Sequence, residues 1–202
     1  MTKKKWLLTI VFFGMLMTVA GVSLVQIRFP IRHLDVIKAN AGNFEPAFIL
    51  AVIHAESSFR PYVISHRGAV GLMQIMEPTG EWIAQMIDIP EYDASMLFDP
   101  EINIIIGSYF LNWLWRYYDG NIQLILSGYN AGIGNVNRWL QDERFSEDGK
   151  TLSYIPFLET HNYVQRVMQR QRIYEWLLRI NSLFNLNRIN AAIVVPIEIT
   201  MV

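Results

Sequence analysis

Twenty consecutive uncharged residues, Trp6 to Val25, follow Lys3, Lys4 and Lys5. At about 1.5 Å of rise per residue, a helix of that length spans about 30 Å, the thickness of a bilayer's hydrocarbon core. The stretch therefore predicts one membrane-spanning helix and divides the chain into an anchor and a body. Three lysines on the short N-terminal side favour keeping that end in the cytoplasm, against the opposing pull of Arg28, Arg32 and Lys38. The expectation is a single-pass protein of the cell membrane whose body lies outside the cytoplasm. A cleaved signal peptide is the rival, since Thr18 and Ala20 offer a small-x-small site, although such apolar regions usually run to only about 7–15 residues.

The 202 residues suit one domain plus this appendage. Only 17% of them are charged, below the roughly 25% of an average soluble domain, as an anchor would require. A net charge of −1 with no basic cluster beyond the membrane flanks argues against nucleic acid as a partner. With no cysteine, disulfides, thiolate catalysis and a lipid-modified cysteine are excluded.

Residues 1–27 read as the anchor, 28–42 with Pro30 as a stalk, 43–180 as the body, and 181–202 as a tail of unassigned role. The body reads as helices, with no sustained strand alternation. Asn43 is a candidate cap for a helix with Glu45 and Pro46 in its first turn, running to about Ser58 before Pro61. Pro78 and Thr79 open a second, to about Ile87. Asp99-Pro100 starts a third that Asp119-Gly120 stops, with 102, 105, 106, 109, 110, 113 and 117 on its apolar face and Asn103, Asn112 and Arg116 opposite. It is the expected central helix. Asn121 caps another toward Tyr129, a further segment covers 136–140, and a long helix covers 160–180 with Arg166, Arg170 and Arg172 toward solvent. In the tail, Ile193 to Val195 favour extended structure while Pro196 opposes a central strand.

One residue breaks the pattern. Ile49, Ile53 and Glu56 fall at i, i+4 and i+7, so a carboxylate lies on an apolar stripe in the last turn of its helix. Burial and the negative end of the helix dipole both raise its pKa. A carboxylic acid protonated near neutrality is what glycosidic cleavage needs to protonate a leaving oxygen. The plainer alternative is a structural glutamate paired with Arg60 or bonded to backbone amides.

Four motifs bear on that choice: "ES" at 56–57, "S..GAVGLMQIM" at 65–76, "GYNAG" at 128–132 and "IPFLET.NYV" at 155–164. Together, in this order over residues 44–180, they resemble the catalytic domain of soluble-type lytic transglycosylases, lysozyme-like enzymes that cut bacterial peptidoglycan. The resemblance implies a mainly α, lysozyme-like helical domain behind one N-terminal transmembrane helix, with glycan strands of peptidoglycan as substrate. It implies that Glu56 is the catalytic acid, protonating the bond between N-acetylmuramic acid and N-acetylglucosamine and then deprotonating the muramyl C-6 hydroxyl, which closes a 1,6-anhydro ring. By the same resemblance Ser65, Gln74, Met76, Tyr129, Asn130, Glu159 and Tyr163 bind substrate. Residue by residue, Gly68 and Gly71 also read as plain turn formers, Met76 and Tyr163 as core, and Glu159 as a first-turn carboxylate. In "IMEPTG", Glu77 intervenes where relatives usually have proline directly after the methionine, which shifts the expected helix start by a residue.

His33, His54, His66 and His161 lack metal spacing, and "GYNAGIGN" follows a helix rather than the strand a dinucleotide loop requires, so neither metal nor cofactor is expected. Protein partners are not legible. Two competing functions stand beside the transglycosylase. One is a hydrolytic muramidase resembling goose-type lysozymes, with Asp88, Glu91, Asp93 or Asp99 positioning water; the other is a non-catalytic glycan-binding module.

Overall fold

The computed structural model describes residues 3–193. They form α1 (Lys3–Arg28), α2 (Leu34–Asn40), α3 (Pro46–Glu56), α4 (Glu77–Met86), a 3-10 turn (Ala94–Phe98), α5 (Pro100–Tyr117), α6 (Ile122–Ala131), α7 (Ile133–Leu140) and α8 (Leu158–Ile193). Among the described residues extended pairing is confined to two isolated bridges, Ile64 with Val70 and Val70 with Ile75.

The most enclosed helix is α3, in which every residue from Ala47 to His54 is buried. A helix apolar on all sides, rather than along one stripe, must be surrounded. Here α8 lies along it and α2 packs against it. Pro46 occupies its first turn after Glu45 in extended conformation, so the proline's missing N–H falls where no intrahelical acceptor exists. The expected cap, Asn43, is engaged elsewhere. Its backbone N and its Nδ2 both donate to Asn112 Oδ1, at 2.8 and 3.0 Å.

That bond reverses the expectation for α5. Asn103 and Asn112, read as solvent-facing, are buried, with Ile104, Leu111 and Leu114 beside them. A polar side chain enters a core when its hydrogen bonds are complete. Asn112 Nδ2 donates to Ala41 O and, one turn back in α5, to Ser108 O, so its oxygen and one of its amide hydrogens serve the turn between α2 and α3. Gly42 sits at φ +62° directly over that amide, and a Cβ there would collide with it.

Two other segments depart from expectation. The stalk contains α2, whose Ile37 is fully buried, because "LDVIKAN" carries enough apolar surface to close one side of the body. The long C-terminal helix continues past residue 180 to Ile193, since no proline or glycine interrupts 158–193. Residues 194–202, including Pro196, lie outside the described residues.

A buried polar chain fastens the end of α1 to the body. Arg28 Nη1 lies 2.8 Å from His54 Nε2, and because guanidinium only donates, Nε2 is the acceptor. The imidazole proton is then on Nδ1, 3.1 Å from Tyr174 Oη, and the tyrosine hydroxyl donates to Pro30 O at 3.3 Å. Burial, with the charges of Arg170 and Arg28, pushes His54 down to about 4, so the chain stays neutral at its centre. Phe29 meets His54 and Tyr174 edge-on, at 5.1 and 5.9 Å between ring centres.

Asn112→Ala leaves the buried Ala41 carbonyl and the Asn43 amide unpaired and should cost on the order of 1–3 kcal/mol. The check is urea unfolding in detergent micelles followed by circular dichroism, where the midpoint falls at unchanged slope.

Candidate active site

Glu56 is the last residue of α3, at the point where the enclosed helix reaches the surface. Protein surrounds its carboxyl on most sides, although the residue as a whole keeps some contact with solvent. That desolvation pushes its pKa up to about 7; the Tyr163 hydroxyl and the Arg166 charge oppose the rise, and the Glu159 charge adds to it. Arg60, the alternative structural partner, is spent elsewhere, with Nε donating to Ser57 O at 2.9 Å. Directly after the carboxylate, Ser58 and Phe59 both adopt left-handed conformations, at φ 53° and 62°. Such backbone is sparsely populated outside glycine, and the burial of Phe59 holds it in place.

Two tyrosines face the carboxyl. The Tyr163 hydroxyl is buried without a complete hydrogen bond, yet it lies close enough to lower the pKa of Glu56. It is a donor poised toward the carboxylate rather than one already bonded to it. Tyr129, expected to bind substrate, donates its hydroxyl to Met73 O at 2.8 Å. Burial first, and then the Glu56 charge, lift the pKa of each phenol well above 10, so both remain neutral.

The segment 61–76 wraps this centre and is held by α5. Asn103, fully buried, accepts from Met73 N at 2.7 Å and donates to Val70 O and Leu97 O at 3.0 and 2.8 Å. Gly71, at φ +83°, passes so close to Asn103 and to Leu97 O that any side chain would clash. Gly68, at φ +85°, has open space around it, so only its turn geometry calls for glycine. Gln74, at φ 50°, donates Nε2 to Val63 O and Gly71 O, bracing the loop with its amide. Ser65 Oγ accepts from the amides of Arg67 and Ala69, which leaves its proton free to donate outward. Met76 is 40% exposed just ahead of α4, which starts one residue before Pro78, with Glu77 in its first turn.

On the opposite side Asn130, near the end of α6, accepts the Thr160 hydroxyl at 2.8 Å and keeps its amide N–H groups free. Glu159, exposed at the start of α8, pairs with Arg67 at 3.5 Å and so links the loop to the helix. Among the described residues no group of three His, Asp or Glu has the geometry of a metal site.

The sequence profile of the "Transglycosylase SLT domain" family matches residues 36–152, more than half of the chain. The chain belongs to this family. The SLT match begins within α2 and ends before α8, so Glu159 and Tyr163 lie past its edge. The chain is 34% identical over 155 residues to the soluble lytic murein transglycosylase of Escherichia coli (strain K12), covering 75% of this chain and 24% of that protein. It is 32% identical over 183 residues to the membrane-bound lytic murein transglycosylase C of Yersinia pestis (strain Pestoides F), covering 80% and 50%. The chain thus spans a quarter to a half of these relatives. Among solved structures, the lytic transglycosylase Slt of Pseudomonas aeruginosa, in an inactive form with a glutamate replaced by glutamine, superposes with TM-score 0.67 at 34% identity, over 77% of this chain and 26% of that one. The 70 kDa soluble lytic transglycosylase of Escherichia coli gives 0.68 at 32%, over 80% and 27%. The mainly helical, lysozyme-like reading of this SLT domain therefore stands.

The structure also brings to the site residues to which the sequence reading assigned no role there: Asn103, Thr160, Arg67 and Arg166. Arg166 had a legible signal, since it follows Glu159 and Tyr163 at i+7 and i+3 on the helix face that bears on Glu56. Arg170 is half-buried, with Nη1 lacking a partner, rather than solvated as expected.

The sign of the Glu56 shift fixes a pH dependence of stability. Folded protein retains this proton between about 4.5 and about 7 while the unfolded chain loses it, so stability falls as pH rises through that window. Glu56→Gln removes the effect. Its stability relative to the parent should therefore increase from pH 5 to pH 8, by on the order of 2 kcal/mol, as read by thermal unfolding at both pH values.

Proposed function

We infer that this chain is a membrane-tethered lytic transglycosylase that cleaves the β-1,4 bond between N-acetylmuramic acid and N-acetylglucosamine in peptidoglycan. The observation that carries the reading is Glu56, a carboxyl whose desolvation keeps its proton near neutrality, placed among tyrosine hydroxyls within an SLT domain. Glu56 donates its proton to the glycosidic oxygen, and the bond to the muramyl C-1 breaks as positive charge spreads over the ring. The sugar's acetamido oxygen stabilises that charge. Glu56, now a carboxylate steadied by Tyr163 and Arg166, takes the proton of the C-6 hydroxyl as its oxygen bonds to C-1, giving the 1,6-anhydro product and restoring the acid.

Ser65 Oγ–H and the free amide of Asn130 are donors for acetamido or hydroxyl oxygens, while Met76 offers apolar contact. Tyr129 and Gln74 support binding indirectly, through Met73 O and the braced loop. Two of the carboxylates considered for hydrolysis are occupied as caps, Asp93 on Ser95 N and Asp99 on Glu101 N and Ile102 N. Glu159, whose charge does reach Glu56, is tied to Arg67. This pattern favours ring closure over activated water.

The membrane reading draws on α1, 26 residues long, with Phe12, Phe13, Met15 and Met17 more than half exposed. Apolar surface on every side of a helix calls for lipid around it. Lys3, Lys4 and Lys5 then favour an N-terminus in the cytoplasm and the SLT domain outside, against the weaker pull of Arg28, Arg32 and Lys38.

Glu56→Gln should lower cleavage of purified sacculi by about 10²–10⁴-fold with glycan binding retained, because the amide keeps the shape but has no proton to give. Mass spectrometry of the released muropeptides should find anhydromuramyl ends; reducing ends would establish the hydrolytic alternative, and no release a binding module. N-terminal sequencing of membrane-fraction protein should read from the first residues, whereas a start near Gly21 would remove the anchor.

A further inference from the structure

We propose that the groove between α1 and α8 is a phospholipid site, and that it seats the exposed face of α8 in the outer membrane interface. The inference rests on α1 spanning the bilayer. The Arg28–His54–Tyr174 chain and Phe29 fix the two helices together at one end. Beyond that junction they do not close on each other, and a groove of about 960 Å³ remains. Its walls include Thr18, Gly21, Val22 and Val25 on α1, at i, i+3, i+4 and i+7, and Trp176, Leu177 and Ile180 on α8.

The α1 wall belongs to the apolar stretch Thr9–Arg28, so whatever occupies the groove shares the depth of acyl chains. Thr18 is seven residues below Val25, about 10 Å along the helix, which is the depth to which interfacial helices bury their apolar face. The α8 side carries its own signature. Arg172, Trp176, Arg179 and Leu183 fall at i, i+4, i+7 and i+11, one helical face, and all four are exposed. Tryptophan flanked by arginines suits the headgroup layer, the ring at the acyl boundary and the guanidinium groups reaching up to phosphates. Glu175, beside this face, is engaged by Gln171 at 2.8 Å.

A more polar recess of about 570 Å³, with Ser23, Gln26 and Arg32 in its walls, shares Gln26, Leu177 and Asn181 with the groove. One phospholipid therefore fits both: an acyl chain along the groove and its phosphate at Arg32. The polar side chains of Arg179 and Asn181 keep α8 at the interface and out of the hydrocarbon centre.

The absence of cysteine makes the test direct, because each introduced thiol carries the only label. Full-length Trp176→Cys, Leu183→Cys, Met15→Cys and Tyr62→Cys, all at exposed positions, are labelled with a small fluorophore in phosphatidylcholine–phosphatidylglycerol vesicles. Nitroxide on the lipid acyl chain should quench positions 15, 176 and 183 several-fold more than position 62, and aqueous iodide should show the reverse order. Iodide quenching at 176 and 183 equal to that at 62, with 15 still quenched by lipid, would overturn the lipid site while leaving the anchor intact. Iodide quenching at 15 as well would overturn both. Label-to-label excimers at 176 in place of lipid quenching would assign the groove to a second copy of the chain and refute the proposal.

Discussion

A helix walled in on every side has one place to meet water, its end, and in this fold that end is a carboxylate. The rest of the site follows from the enclosure of α3. Because protein approaches Glu56 from most directions, its charge is poorly hydrated, and the proton stays until a better base or a developing oxyanion draws it off. The chain must also leave the buried helix abruptly, which accounts for two successive left-handed residues and for an arginine that satisfies the helix end rather than the acid.

Around this fixed point the loops are held by backbone more than by side-chain pairing. Met73 shows the economy of the arrangement: its N–H is bound by Asn103 from α5, and its carbonyl receives Tyr129 from α6. Its side chain packs on Gly107, where any Cβ would strike it. A single residue thus registers two helices and the glycine-rich loop against each other. Displacing it would shift residues on both sides of Glu56 at once.

The parts legible in the sequence were those written locally. Asp99 with Pro100 marked the start of α5 and Asn121 the start of α6, because a cap and its helix are neighbours in the chain. Glu56 stood out because an acid on an apolar stripe is a local anomaly, and the motifs placed it within a family. What local reading misassigned were long-range polar bonds. Asn103 and Asn112 look like surface residues unless it is known that distant carbonyls and amides await them, and Asn43 looks like a cap unless Asn112 is near. α2 was missed for a related reason, since seven mixed residues become helical only when Ile37 has a core to enter. The Glu159–Arg67 and Thr160–Asn130 contacts likewise join segments that no spacing rule connects.

His54 binds Arg28 only two residues ahead of Glu56, so the end of α1 and that carboxyl belong to one short, stiff piece of protein. On the proposed reading, with α1 in a bilayer, such a protein has almost no leash. It would reach only a thin layer against the lipid surface, and which of many identical bonds it meets would be a matter of altitude.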